Sequence, residues 1–297
     1  MMGAAGLGML PTAEMFGATE PYSRKGGNIS VGLAAYSFRS HFATMKGKPN
    51  KSAEGKEIID MPKFIEYCAA HGAAGAELTS YFFPAEVDNA YLANCRKVAH
   101  INGVAIAGTA VGNNFSHPKD APERTEQMEY VKQWIDFSTV MGAPHIRVFA
   151  GRHPKGVSED DAEKNAIEAL EEAGAYAGER GIFLGIENHD SIGTAARLLR
   201  IVKAVKSPWV GVNLDSGNFK SDDPYAEMAA SAPYAINVQL KTELNVGDKR
   251  EKADMARVIG ILKEANYSGY AVLEFEESTD PFEHVPPLLD ELNKLCS

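Results

Sequence analysis

The chain has 297 residues, 44% of them hydrophobic and 24% charged, with a formal net charge of −10. This composition supports a large buried core and excludes intrinsic disorder, and the acidic balance disfavours nucleic acid as a partner. Three cysteines without a C-x-x-C pair exclude a disulfide framework and a thiolate zinc site. No apolar run reaches the roughly 18 residues that a membrane span needs.

Residues 1–27 are predicted to form an N-terminal tail outside the fold. Met1 to Ala18 is rich in Gly, Ala, Leu and Met and contains no Lys or Arg. It therefore resembles the apolar part of a bacterial export signal. On that interpretation the protein is periplasmic or exported. If the segment is only a poorly ordered tail, a cytoplasmic protein is expected.

From residue 28 onward, short apolar segments alternate with longer helical patterns. The predicted strands are at residues 29–37, 74–79, 104–110, 145–150, 182–187, 209–214, 235–240 and 270–275. Nearly all are continuous apolar runs, which are typical of parallel strands buried on both faces. Eight strand–helix units, rather than five or six, predict an α/β fold: a single-domain (β/α)8 TIM barrel over residues 28–297.

Several of the intervening helices carry capping signals. Asp60 is predicted to cap one helix, and Ser158 with Asp161 is predicted to open another. Asp120 with Glu123 predicts a further start through a capping box. The last two helices are predicted at residues 250–266 and 284–295.

Two connections are unusually long for this fold. Arg39 to Ile59 follows the first strand, and Asn113 to Pro122 follows the third. Both lie at the carboxyl ends of strands, where a barrel has its active site. They are therefore candidate lids.

Each of the last four strands ends in a side chain that can bind a metal. These residues are Glu187, Asp215, Gln239 and Glu274. The carboxyl ends of barrel strands converge on one mouth, and three carboxylates and an amide oxygen would repel one another there without a cation. The pattern therefore predicts a divalent metal ion. The competing interpretation is a solvated rim, a turn cap at Asp215 and a loop contact at Gln239.

The strand ends also resemble those of the xylose isomerase-like barrel superfamily, the sugar phosphate isomerase and epimerase group, over about residues 29–295. The matching segments are Gly-Leu-Ala-Ala-Tyr-Ser-Phe-Arg (32–39), Ala-Glu-Leu-Thr-Ser-Tyr (76–81), Ile-Arg-Val-Phe-Ala-Gly (146–151) and Ile-Glu-Asn-His (186–189). The resemblance implies a metal held by Glu, Asp, His and Glu from strands five to eight. Carried over, these positions are Glu187, Asp215, Gln239 and Glu274.

Three positions depart from the family pattern. Gln239 stands where the family has His, and an amide oxygen is a harder ligand than imidazole, so Mn²⁺ or Mg²⁺ is expected before Co²⁺ or Zn²⁺. Asn218 replaces a His that follows the strand-six Asp in the family's epimerases, and Asn245 replaces their substrate-binding Arg. These departures weaken the expectation of ordinary ketose 3-epimerase specificity. The superfamily's three-zinc endonuclease activity is also disfavoured, since it needs His at the positions of Gln239 and Asn218.

Four residues are candidates for catalysis. Glu187 and Glu274 are the candidate bases, and His189 could transfer protons near neutral pH. Lys241 shares a strand face with Gln239 and could stabilise an oxyanion. The alternatives are a loop role for His189 and a salt bridge from Lys241 to Glu187 or Glu243.

Further residues are candidates for binding the hydroxyl groups of a substrate. They are Glu77, Asn114, Arg147 and Asn218. A buried ion pair between Arg147 and Glu77 is the structural alternative, and a turn is the alternative for Asn114.

The predicted function is a metal-dependent sugar isomerase or epimerase that removes a proton next to the carbonyl of a keto sugar or related polyol. A metal-dependent lyase or dehydratase acting on a 3-keto-glycoside or keto-polyol remains open, as does a non-catalytic sugar-binding barrel. The expected partner is a small carbohydrate. Neither a nucleic acid nor a membrane is expected, and a homo-oligomer is left open.

Overall fold

In the computed structural model, which describes residues 19–297, eight parallel strands close into a barrel. The strands are β1 (Ile29–Ala34), β2 (Gly75–Thr79), β3 (Ala105–Ala110), β4 (His145–Val148), β5 (Phe183–Glu187), β6 (Val210–Asp215), β7 (Ala235–Lys241) and β8 (Gly269–Glu274). Each strand pairs with the next in the chain, and β8 pairs with β1. The predicted (β/α)8 barrel is confirmed.

One α-helix follows each strand, or precedes the next one, on the outside of the barrel, and the last helix follows β8. The helices are α1 (Met61–Ala70), α2 (Asn89–Ile101), α3 (Pro122–Met141), α4 (Glu159–Gly178), α5 (Ala195–Ala204), α6 (Pro224–Ser231), α7 (Met255–Glu264) and α8 (Pro281–Cys296). Within residues 19–297, none of the helices combines the length and apolar character that crossing a membrane requires.

The helix starts follow local hydrogen bonding. Asp60 accepts a bond from the Lys63 N–H, and Ser158 accepts one from the Asp161 N–H, as predicted. The capping box predicted at Asp120 is wrong. The N-cap of α3 is Ala121, which offers no side-chain acceptor, and Pro122 takes the first helical position.

Two short hairpins lie in the loops at the mouth of the barrel. In the long loop after β1, Thr44–Met45 pairs with Lys48–Pro49. After β7, Glu243–Val246 pairs with Lys249–Lys252, so α7 begins later than the predicted residue 250. A 3-10 turn at Ala35–Phe38 also ends β1 before the predicted residue 37.

The strands present two different faces. Every second residue of β4–β8 packs outward beneath the helices, and these side chains are fully buried hydrophobics. Examples are Ile146, Val148, Leu184, Ile186, Val212, Leu214, Val238 and Leu240. The intervening positions face the barrel interior, because successive strand side chains point to opposite faces. Those interior positions become polar towards the carboxyl ends.

A bulge in β7 sets which residues meet across the interior. Val212 pairs with Ala235, but the next residue, Asn213, pairs with Asn237, so Ile236 is skipped. The shifted register places Asp215 opposite Gln239. On the other side of β7, Lys241 lies opposite Glu274.

The segment before β1 has no helix or strand in its described part, residues 19–27. It nevertheless contacts the barrel: the Thr19 hydroxyl donates to the Val205 carbonyl, and the Arg24 guanidinium donates to the Ala235 carbonyl. The export-signal prediction falls on Met1 to Ala18, which lies outside the described residues.

Candidate active site at the barrel mouth

A cavity of about 550 Å³ opens at the carboxyl ends of the strands. Seven of the predicted site residues line it: Asn114, Arg147, Glu187, His189, Asn218, Lys241 and Glu274. The cavity wall also includes the aromatic rings of Tyr36, Tyr81 and Phe149 and the side chains of Lys46 and Arg152. Its size and mixed polar and aromatic lining suit a small polar ligand.

Glu187 is held at the end of β5 by two partners. The Arg147 Nε atom lies 2.8 Å from Glu187 Oε2, and the Asn218 amide donates to Oε1 at 2.8 Å. Arg147 therefore forms its ion pair with Glu187. The structural alternative, an ion pair between Arg147 and Glu77, is wrong. The guanidinium also donates to the Val111 carbonyl and lies over the Phe149 ring, 4.0 Å from its centroid. Both oxygens of Glu187 are thus engaged.

Lys241 is buried among three carboxylates. Its Nζ atom lies 3.2 Å from Asp215 Oδ2, 3.3 Å from Glu274 Oε1 and 2.9 Å from Glu276 Oε2. The alternative given for Lys241, a salt bridge to Glu187 or Glu243, is therefore wrong, because its partners are other carboxylates. Asp215 also accepts the Gly217 N–H through Oδ1, which fixes its carboxylate.

A layer of amides lies beneath the mouth. Gln239 donates to Glu77 Oε1 at 2.7 Å and accepts from the Asn213 amide at 2.7 Å. The other Glu77 oxygen accepts from the Asn237 amide, which also donates to Asn213. Glu77 has no exposed surface and both of its oxygens are used. It is therefore placed to orient Gln239 and does not line the cavity.

The buried carboxylates have raised pKa values. Burial, reinforced by Glu274, raises the pKa of Glu77 to about 8. Burial also raises the pKa of Glu274 to about 7 and that of Asp215 to about 6, although Lys241 opposes both shifts. Burial lowers the pKa of Lys241, but Asp215 and the other carboxylates outweigh it and hold the pKa well above the usual value. Burial is therefore the main cause of the upward pKa shifts of these carboxyl groups.

The donor chemistry of this cluster fits a divalent cation. Three buried carboxylates at the mouth, Glu187, Asp215 and Glu274, and the partly exposed Glu276 face two buried cations, Arg147 and Lys241. Glu274 Oε2 is buried without a hydrogen-bond partner, and Asp215 Oδ2 has only the Lys241 ammonium, at 3.2 Å. Within residues 19–297, however, no three His, Cys, Asp or Glu side chains stand already gathered around one point. The Lys241 ammonium lies between two of the predicted ligands.

The remaining predicted residues lie on loops at the rim. The His189 ring contacts Phe149 and places Nδ1 3.1 Å from Asp190. The Asn114 amide is used within its loop, donating to the Arg152 carbonyl and accepting from the Ser116 N–H. Of these side chains, His189 is the better placed to meet a substrate.

Sequence reasoning missed several residues of the site. Glu276 is a direct partner of Lys241, and its spacing of two from Glu274 could have shown that it points the same way. The same spacing relates Asn237 to Gln239 and Asn213 to Asp215. The contributions of Lys46 and Tyr81 come from loop geometry, for which the sequence offered no signal.

A family model described as the xylose isomerase-like TIM barrel matches residues 65–294. The chain belongs to this family. No curated protein matches its sequence significantly.

Solved structures share the fold at low sequence identity. A D-psicose 3-epimerase solved in the presence of D-fructose is 18% identical, with a TM-score of 0.66 over 84% of this chain and 86% of the other. The 3-keto-D-glucoside 4-epimerase of E. coli is 16% identical, with a TM-score of 0.65 over 90% and 98%. A xylose isomerase domain protein from Planctomyces limnophilus is 16% identical, with a TM-score of 0.64 over 91% and 96%.

Proposed function

We propose that the protein is a divalent-metal-dependent isomerase or epimerase that acts on a keto sugar by removing a proton next to its carbonyl. The observation that carries the proposal is the pair of buried carboxylates, Glu187 and Glu274, which line one cavity together with Arg147 and Lys241. The epimerases that share this fold, one solved with D-fructose, support a carbohydrate substrate.

The proposed metal ligands are Glu187, Asp215, Gln239 and Glu274, with Mn²⁺ or Mg²⁺ as the expected ion. When bound, such an ion would polarise the substrate carbonyl and make the neighbouring C–H more acidic. Glu77 and Asn213 fix the orientation of the Gln239 amide, and the ion would be the second partner of the Gln239 oxygen, which already accepts from Asn213.

Glu274 is the proposed base. Its Oε2 atom is buried without a hydrogen-bond partner, whereas both oxygens of Glu187 are engaged. The C–H proton passes to Glu274, and the negative charge that develops on the substrate oxygens lies near Lys241 and Arg147.

The fate of that proton decides the reaction. If the proton stays on Glu274 and a second group delivers another proton to the opposite face of the same carbon, the reaction is epimerisation. Transfer of the abstracted proton to the neighbouring carbon gives isomerisation, and loss of a substituent from the next carbon would instead make the protein a lyase. His189 and Glu187, which line the same cavity as Glu274, are the proposed donors of the second proton.

The test is turnover of a panel of keto sugars in D₂O with Mn²⁺-loaded protein, followed by NMR. Deuterium at a carbinol carbon of the product is the expected result, whereas an unsaturated product or a released aglycone would indicate the lyase. Sugar binding without exchange or turnover would contradict the enzymatic proposal and favour a binding protein.

The Glu274→Gln variant isolates the base. Turnover should fall on the order of 10²–10⁴-fold, and metal content must be measured alongside because Glu274 is also a proposed ligand. Glu66→Gln, the same change on the exposed face of α1, is the matched control. Full activity in a metal-loaded Glu274→Gln protein would remove Glu274 from the mechanism.

A further inference from the structure

Lys241 occupies a built site for a cation. Its ammonium lies 2.9–3.3 Å from one oxygen each of Asp215, Glu274 and Glu276, and it donates a hydrogen bond to Glu274. Its backbone N–H is fixed by the Ser216 hydroxyl at 2.8 Å. Its stem crosses Gly217 so closely that a Cβ there would lie 2.8 Å from Lys241 Cδ. These contacts fix the backbone and the stem of Lys241, and they leave its ammonium among the three carboxylates.

Two of the three carboxylate partners of Lys241 are proposed metal ligands, and the third is not. Asp215 and Glu274 are proposed metal ligands, whereas Glu276 is not and is partly exposed at the cavity wall. A divalent ion on the same carboxylates would stand close to the ammonium and repel it. The Lys241 ammonium can lose its contacts with Asp215 and Glu274 and still keep a carboxylate partner, because Glu276 is already its shortest contact.

We propose that Lys241 is a tethered competitor for the metal: it neutralises Asp215 and Glu274 when no ion is bound and withdraws to Glu276 when an ion binds. The proposal rests on the metal-dependent function proposed above. Lys241 weakens metal affinity because an incoming ion must displace a cation that is already paired. In return, the buried carboxylates are never left without a positive partner, which would be costly in the metal-free protein.

The test is Mn²⁺ binding to chelator-stripped protein, followed by calorimetry and by the EPR signal of free Mn²⁺. Lys241→Met should bind Mn²⁺ at least about tenfold more tightly than the wild type. Glu276→Gln should bind several-fold more weakly, because Lys241 loses its alternative partner and stays on the ligands. A lysine that only supported the fold would give weaker or unchanged binding in Lys241→Met.

Lys46→Met is the matched control, since Lys46 lies in the same cavity wall but over the Tyr81 ring rather than against a carboxylate. Its effect measures the general influence of one positive charge, and it should change the affinity by less than about threefold. Equal gains in Lys46→Met and Lys241→Met would overturn the competitor role. Circular dichroism of each variant verifies folding, and Glu276→Gln tests the proposal even if Lys241→Met does not fold.

The outcomes separate the two proposals. Wild-type binding with no gain in Lys241→Met overturns the competitor role and leaves metal dependence standing. Binding only by Lys241→Met supports the competitor role and contradicts metal dependence of the native protein. Binding by neither protein contradicts both.

Discussion

His145, at the start of β4, is a buried histidine whose ring lies against the bare backbone of Gly108. Burial lowers its pKa from the usual 6.5 to about 4. The unfolded chain therefore binds a proton between these pH values that the folded chain does not. The resulting contribution to stability is fully present above pH 6.5 and is lost as the pH falls towards 4.

The expected size of this loss is on the order of 3 kcal/mol in the free energy of unfolding. It can be measured by urea unfolding at pH 7, 5.5 and 4 for the wild type and His145→Gln. The variant should start less stable, because it disturbs a packed site, but should lose less stability across the interval. Parallel pH profiles for the two proteins would show that His145 does not titrate there.

Gln239 is the residue on which the metal preference depends. Gln239→His should shift preference from Mn²⁺ towards Zn²⁺ or Co²⁺, because imidazole is the softer ligand. It should also cost about 1–3 kcal/mol of stability, because Glu77 and Asn213 lose their amide partner. Competition titrations of the metals on both proteins measure the first effect, and thermal unfolding measures the second.

Gln133→His, an added histidine on the exposed face of α3, controls for surface binding of zinc. An unchanged metal preference in Gln239→His would show that Gln239 is not a ligand.

At the scale of single elements, the helices α3 and α4 differ in whether a side chain caps the N-terminus. The N-terminus of α4 is capped by the Ser158 hydroxyl, and that of α3 begins at Ala121 without a side-chain cap. Ala121 has the extended backbone of an N-cap residue, with φ −72° and ψ 136°, so a hydroxyl there can reach the first turn.

Ala121→Ser should therefore stabilise the protein, and Ser158→Ala should destabilise it, each by about 1 kcal/mol. Chemical denaturation of the two variants and the double variant measures both effects, and the double variant should be close to the wild type because the sites are independent. A loss of stability in Ala121→Ser would mean that the added hydroxyl is not oriented towards the free N–H groups.

The elements also show what the sequence could predict. The strands can be read from the sequence because β5 and β8 are apolar up to their last residue and β4, β6 and β7 carry an apolar residue at every second position. Glu187 and Glu274 stand out because each ends an apolar run, and Asp215 stands out because it ends the next strand along the chain. The bulge at Ile236 could not be read, since nothing local distinguishes it from the rest of β7. The partners of Lys241 depend on that register, so the cluster around it became visible only in three dimensions. The helix predicted at residues 250–266 includes the last three residues of the hairpin after β7, because the charged segment Lys249–Lys252 lacks the apolar alternation that marks a strand.

At the scale of the whole molecule, the proposed ligands come from β5, β6, β7 and β8, which form half of the barrel wall. An ion bound to all four would hold these strands together, and it would bind the folded chain but not the unfolded one. Binding of this kind raises the stability of the whole domain by mass action.

Mn²⁺ at a hundredfold excess over its dissociation constant should add about 2.7 kcal/mol, which corresponds to a rise of roughly 4–5 °C in Tm for a domain of this size. Differential scanning calorimetry of chelator-stripped protein, with and without Mn²⁺, measures the shift. Asp215→Asn should abolish most of the rise because it removes a charged ligand at the centre of the four strands, whereas Glu66→Gln should keep it. An equal rise in Asp215→Asn would place the bound ion elsewhere on the molecule, and the absence of any rise in the wild type would contradict a metal that joins β5–β8.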